Sequence, residues 1–167
     1  MTLGTHFIAG AAVAVVLKRH PVLALMAAFL AHLGLDAIPH WGYNLKSLER
    51  NREDPLESDL KFNKDFLRDL GLMAIDGFAG LAVTIYAIGF KDPSLLWLGI
   101  LGGIMGDLPD FLQLIYHLFK NFGPIREFQR FHSWIQRDNA LRENIFWGVI
   151  SQIALVGAFL LIIVFFR

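Results

Sequence analysis

Three side chains with metal-binding chemistry recur at four-residue intervals in His32-Leu-Gly-Leu-Asp36-Ala-Ile-Pro-His40, inside an otherwise hydrophobic segment. On an α-helix, positions i, i+4 and i+8 share one face, about 6 Å apart per step along the axis. Two imidazoles and a carboxylate on one stripe are costly in an apolar setting unless they bind an ion or one another. Further candidates are His6, Asp76, the pair in Gly106-Asp107-Leu108-Pro109-Asp110, and His132-Ser133. The chain has no cysteine, which excludes disulfides and thiolate ligands and leaves His, Asp and Glu as the donors for any metal.

The elements that must position these residues are apolar. The 167 residues are 55% hydrophobic with zero formal net charge, so nothing points to nucleic acid as a partner. Several runs approach the roughly 20 residues needed to cross a bilayer. The expectation is one all-α, polytopic membrane bundle spanning 1–167. The first segment, Leu3 to Leu17, is rich in Gly and Ala, which lets membrane helices approach closely, but it is short for a span. No basic region precedes it, and His6 sits at its start, so it does not read as a signal peptide. After the turn Lys18-Arg19-His20-Pro21, a second segment runs from Val22 to Ile38, and Pro39 should bend or end it. Segments three and four run from Leu70 to Phe90 and from Leu95 to Phe119, with Ser94 a candidate N-cap and a helix break expected at 106–110. An uncharged last span covers 145–166. That makes five membrane segments, separated by polar loops at 42–69 and 120–144. Thirteen charged residues of mixed sign lie between Lys46 and Asp69, and that loop reads as solvated, with short amphipathic helices on the membrane surface.

Two places align at an offset of 70 residues. His6-Phe-Ile-Ala-Gly-Ala-Ala-Val13 falls on Asp76-Gly-Phe-Ala-Gly-Leu-Ala-Val83, and Pro39-His40-Trp41 falls on Pro109-Asp110-Phe111. The expectation is a duplicated two-helix hairpin (1–41 and 71–111) followed by a C-terminal span. Binding sites often form between such repeats. With five spans, the N-terminus and both polar loops share a side carrying eleven Lys and Arg, against Lys18, Arg19, Lys91 and Arg167 on the other. The positive-inside rule makes the first side cytoplasmic. His6, His32 to His40, Asp76, Asp107 and Asp110 then all fall in the cytoplasmic half of the bundle, with His132 in a loop on that face.

Each such group costs roughly 2.5–3.5 kcal/mol at mid-helix on insertion scales, so their convergence calls for mutual neutralisation. Imidazoles and carboxylates together suit one or two divalent cations, zinc or manganese. A two-metal site would use bridging carboxylates, activate a water and stabilise the leaving oxygen of a phosphoester. The expected metal ligands are His6, His32, Asp36, His40, Asp76 and Asp110. Asp107 and His132 are candidate acid/base groups or further ligands. Asp107 also reads as the cap of a helix starting at Pro109, and His132 as part of a surface loop. His20 reads as a turn residue and His117 as interfacial. Trp41, Tyr43, Trp97, Trp134 and Trp147 fit an aromatic belt.

The order Thr5-His6-x-x-x-Gly10, a His/Asp-bearing helix end, Gly106-Asp-Leu-Pro-Asp110 and His132-Ser133 resembles the membrane-bound metal-dependent hydrolases, small integral membrane proteins of bacteria and archaea. The His-x-x-x-Asp spacing is more distantly similar to the helical zinc-dependent phospholipases C. This chain departs from the former pattern by lacking an Asp and a His directly after Asp110, and carries Asp36-Ala-Ile-Pro-His40 in the preceding hairpin instead. The resemblance implies a metal-dependent hydrolase of the prokaryotic inner membrane, and a substrate entering the site from the cytoplasmic leaflet makes a membrane lipid phosphoester the expected partner. A cation or proton transporter would need polar residues continuing into the outer half, which segments one, two and four lack. A purely structural polar cluster would hold no metal.

Overall fold

Helix α1 (Leu3–Val16) is the axis of the bundle, with eleven of its fourteen residues buried. The computed structural model describes residues 1–51, 53–136 and 144–167. It is all-helical apart from two short strands, and α1 packs against α2 (Pro21–Asp36), α3 (Lys64–Ile88), α4 (Pro93–Leu118) and α6 (Ile145–Phe166). Arg52, Arg137 and Arg142, counted in the charge asymmetry, lie outside the described residues.

Close approach of these helices depends on glycine. A Cβ on Gly10 would lie 2.3 Å from the Gly102 carbonyl oxygen, one on Gly102 would lie 2.4 Å from Ala14 Cβ, and one on Gly106 would lie 2.5 Å from the His6 carbonyl oxygen. Gly80 meets Gly4 in the same way, 2.7 Å from its Cα. Small residues therefore press α1 into α3 and α4 backbone to backbone, as the composition of the first segment implies.

Local signals set the helix ends. Pro21 and Pro93 occupy first-turn positions, where a missing N–H costs nothing. The Asp92 side chain, rather than Ser94, caps α4 by accepting from Leu95 N at 3.0 Å. Asn63 caps α3 and Asn144 caps α6. Gly89, at φ +77°, closes α3 in a conformation that other residues rarely adopt.

Three expectations need correction. Helix α4 does not break at 106–110 but runs through Pro109. Proline withholds an N–H from the carbonyl of residue 105, yet packed neighbours tolerate this in membrane helices. The 42–69 segment contains a small hairpin, β1 (Leu48–Glu49) antiparallel to β2 (Asp59–Leu60), around a 3₁₀ turn at Pro55–Glu57. Tyr116 at the end of α4 ties that turn down by donating to the Leu56 carbonyl at 2.8 Å. The 120–144 region contains helix α5 (Gly123–Ile135), so His132 is a helical residue. Of the five apolar segments expected, α3, α4 and α6 are long and apolar enough to cross a membrane, whereas α1 and α2 are shorter.

Gly10→Ala should cost about 1–3 kcal/mol through overpacking against α4. Gly34→Ala, with no atom within 4 Å of the added Cβ, should be neutral or mildly stabilising. Equilibrium unfolding in mixed micelles measures both.

Candidate metal centre

Asp36, the last residue of α2, sits at the centre of the cluster. His6, His32, Asp36 and His132 are each 2% exposed or less. Helical spacing brings His32 Nε2 to 3.1 Å from Asp36 Oδ2. His132 Nε2, from α5, lies 3.0 Å from the same oxygen, and Gln136 also donates to it. On the other oxygen, Oδ1, converge His6 Nε2 from α1 at 3.1 Å, His40 Nε2 at 3.6 Å and the buried Met1 ammonium, which donates to it at 2.9 Å. Asp110 Oδ1 lies 3.8 Å from His32 Nε2.

The protein itself sets two of the tautomers. His32 Nδ1 is 2.6 Å from the Gly106 carbonyl oxygen and must donate its proton there. His40 Nδ1 donates likewise to the Ile38 carbonyl at 2.7 Å. In the neutral rings both Nε2 atoms are then lone pairs, and that of His32 faces the acceptor-only Asp36 carboxylate. His32 Nε2 additionally faces His132 Nε2 at 3.2 Å. A proton on His32 Nε2 or a metal ion between the two would relieve that opposition. Metal-ligating histidines typically use the second ring nitrogen in this way, donating to a backbone carbonyl. The Nδ1 atoms of His6 and His132 have no hydrogen-bond partner among the described residues.

His32, Asp36, Asp110 and His132 could hold a metal ion, since one ligand atom from each lies within 4.8 Å of the others. Four ligands at roughly 2.0–2.1 Å around a tetrahedral zinc are about 3.4 Å apart. The observed 3.0, 3.1, 3.2 and 3.8 Å separations bracket that edge length. Shifts of a few tenths of an ångström would seat the ion, so the residues fit the group.

Asp76 stands apart from this set. Its Oδ2 accepts from Gly4 N and from the Tyr43 hydroxyl, both at 2.6 Å, while Tyr43 Oη accepts from Leu3 N at 3.0 Å. Two of the unpaired N–H groups at the start of α1 are thus satisfied through one carboxylate. Asp107 caps nothing, because α4 continues through it, and its Oδ1 is buried without a partner among the described residues. His20 is exposed in the turn before α2, and His117 is half-buried beside Tyr116.

Several participants carry no signal in the sequence. Gln136 and the Gly106 carbonyl contact the cluster directly. Gln152, in the uncharged last helix, accepts from Thr2 N at 3.3 Å and donates to the Trp41 carbonyl at 2.9 Å. Tyr43 is more than a belt residue, whereas Trp97, Trp134 and Trp147 are exposed, as a belt requires. A cavity of about 170 Å³ opens against the cluster, reaching His40, Tyr43, Asp110 and Gln136. Its lining also includes Leu45, Leu48, Leu60, Phe66 and Met73 together with Ser47, Arg50, Asp69, Gln113 and His117.

No protein-family model, curated protein or solved structure matches the chain. What can be said of function therefore rests on the site.

Burial, reinforced by the neighbouring Asp76 carboxylate, pushes the Tyr43 phenol up from its ordinary pKa. A group with a raised folded pKa stabilises the fold below its unfolded value, about 10, and loses that contribution as pH climbs toward the folded value. Tyr43→Phe should cost about 1.5–3 kcal/mol at pH 8, since Asp76 loses a donor. The gap from wild type should narrow between pH 10 and roughly pH 12, as read by unfolding in mixed micelles at both ends of the range.

Proposed function

We propose that the protein is a membrane-embedded, metal-dependent hydrolase that cleaves a phosphoester, most simply that of a lipid, at the cytoplasmic face of a prokaryotic inner membrane. The observation that carries this reading is the convergence of His32, Asp36, His132 and Asp110, with Asp110 also lining a cavity of mixed polar and apolar walls. Zinc suits this all-N/O donor set, with manganese the alternative. Bound there, the ion would supply a low-pKa water and Lewis-acid stabilisation of a phosphoryl oxygen.

The chain's own residues support each remaining requirement. Asp107 Oδ1, buried and without a partner among the described residues, is the candidate to hold or return a proton. The cavity lies between the 41–63 segment and the ends of α3 and α4, where a lipid's acyl part meets leucine, phenylalanine and methionine side chains. The hydrolase resemblance and the positive-inside asymmetry support the chemistry and the orientation.

Purified protein loaded with zinc or manganese should release phosphate or a phosphoalcohol from phospholipids in mixed micelles, followed by phosphorus NMR. Asp107→Asn should keep its metal and lose roughly 10²-fold or more in turnover, the usual scale of an acid/base group. A metal-loaded wild type that turns over neither phosphomonoester nor phosphodiester lipids would overturn the hydrolase assignment.

A further inference from the structure

Helix α5 brings His132 to the cluster, yet the bundle gives it little apolar support. Its buried residues are Gln129 and His132, both polar, whereas most helices in proteins are held by an apolar face. Phe128 faces inward, its ring 6.1 Å from that of Phe29, but it is not fully buried. Two contacts fix the course of the helix. Gln129 Nε2 lies 3.4 Å from Gln113 Oε1, and ligand atoms of His132 and Asp110 lie within 4.8 Å of one another. Three residues forward on α5 thus correspond to three residues back on α4. Helix α5 therefore runs antiparallel to the last turns of α4, which is long and apolar enough to cross a membrane. Extending that register puts Arg126 beside the final turn of α4 and Trp134 about 12 Å further in, at 1.5 Å per residue.

The outer face of α5 matches that placement. Phe131 and Trp134 are 47% and 66% exposed, and Arg126 and Arg130 are exposed nearer the end of α4. Cations at headgroup depth with aromatic rings below them characterise a helix seated in a membrane interface. Two arginines against Glu127, which accepts from Arg130, leave this face net positive, and anionic phosphates complement it. A leaflet would cover Phe131 and Trp134, supplying the apolar burial that the bundle does not. We infer that α5 dips into the headgroup layer of an anionic phospholipid leaflet and, resting on the metal-site reading above, that this contact holds His132 in the metal centre. His132 and Trp134 lie on opposite faces of one helix, so what seats the outer face also seats the ligand.

The chain has no cysteine, so nitroxide labels on Phe122→Cys, Phe131→Cys and Trp134→Cys each report one position. The full chain is reconstituted in vesicles of phosphatidylethanolamine with phosphatidylglycerol, and separately in phosphatidylcholine. EPR power saturation with oxygen and a water-soluble nickel chelate reads the depth of each label. In anionic vesicles the label at 122 should meet nickel, and those at 131 and 134 should meet oxygen. In phosphatidylcholine the two deeper labels should shift toward nickel. Nickel-accessible labels at 131 and 134 in anionic vesicles would overturn the seating of α5, and equal depths in both lipids would overturn the role of anionic charge. Competition with a chelator then reads zinc affinity in the same vesicles. Phe131→Ser/Trp134→Ser should weaken it roughly tenfold, the lower end of what losing a ligand's support costs. Wild type moved to phosphatidylcholine should weaken in the same direction, and that comparison decides where the double variant does not fold. Zinc held equally tightly throughout would overturn the link to His132 and leave the metal site standing. Folded wild type that binds no zinc would overturn that link together with the metal-site reading, while the labels still decide where α5 lies.

Discussion

A carboxylate buried among apolar helices is the constraint on which the other contacts of this bundle depend. An aspartate at mid-helix depth costs roughly 2.5–3.5 kcal/mol to insert, and Asp36 is almost wholly out of contact with solvent. Its two oxygens collect His6 from α1, His32 from its own helix, His40 from the chain beyond, and His132 and Gln136 from α5 and its end. Elements distant in sequence are thereby tied to one atom pair. Removing any single partner leaves charge or lone pairs stranded, which is why such clusters are costly to leave half-satisfied.

Packing and chemistry meet at Gly106. Its missing side chain lets α4 lie against the His6 carbonyl, and its own carbonyl takes the Nδ1 proton of His32. The turn containing it also holds Pro109, which cannot supply an N–H to the preceding turn of α4. The same short stretch thus brings α1 close, orients His32 and presents Asp110 to the cluster. Asp76 and Tyr43 do comparable work one helix away, fixing the start of α1 and with it the position of His6.

The polar stripe was legible because helical periodicity makes it so. His32 and Asp36 lie on one face, four residues apart, and a charge in an apolar run has few other uses. His40 belongs with them for a different reason, since α2 ends at Asp36 and the chain turns back through Pro39. Helix α5 was not legible. Its inward positions are Ile125, Phe128, Gln129 and His132, a mixed set that breaks the apolar pattern on which periodicity depends. Gln136, Gln152 and the Tyr43 hydroxyl were missed because uncharged polar side chains resemble ordinary helix and belt residues. Pro109 misled because proline's local preference to end a helix was overridden by tertiary packing.

The central proposal is that the Asp36 cluster holds a metal ion. Anomalous X-ray diffraction from crystals of zinc-loaded protein, collected on both sides of the zinc edge, tests it most directly. The account predicts an anomalous peak about 2.0–2.1 Å from the Nε2 atoms of His32 and His132, with Asp36 Oδ2 in its coordination sphere. Diffraction of ordinary quality with no peak there, and with both imidazoles still in direct hydrogen-bonding contact with Asp36, would contradict it.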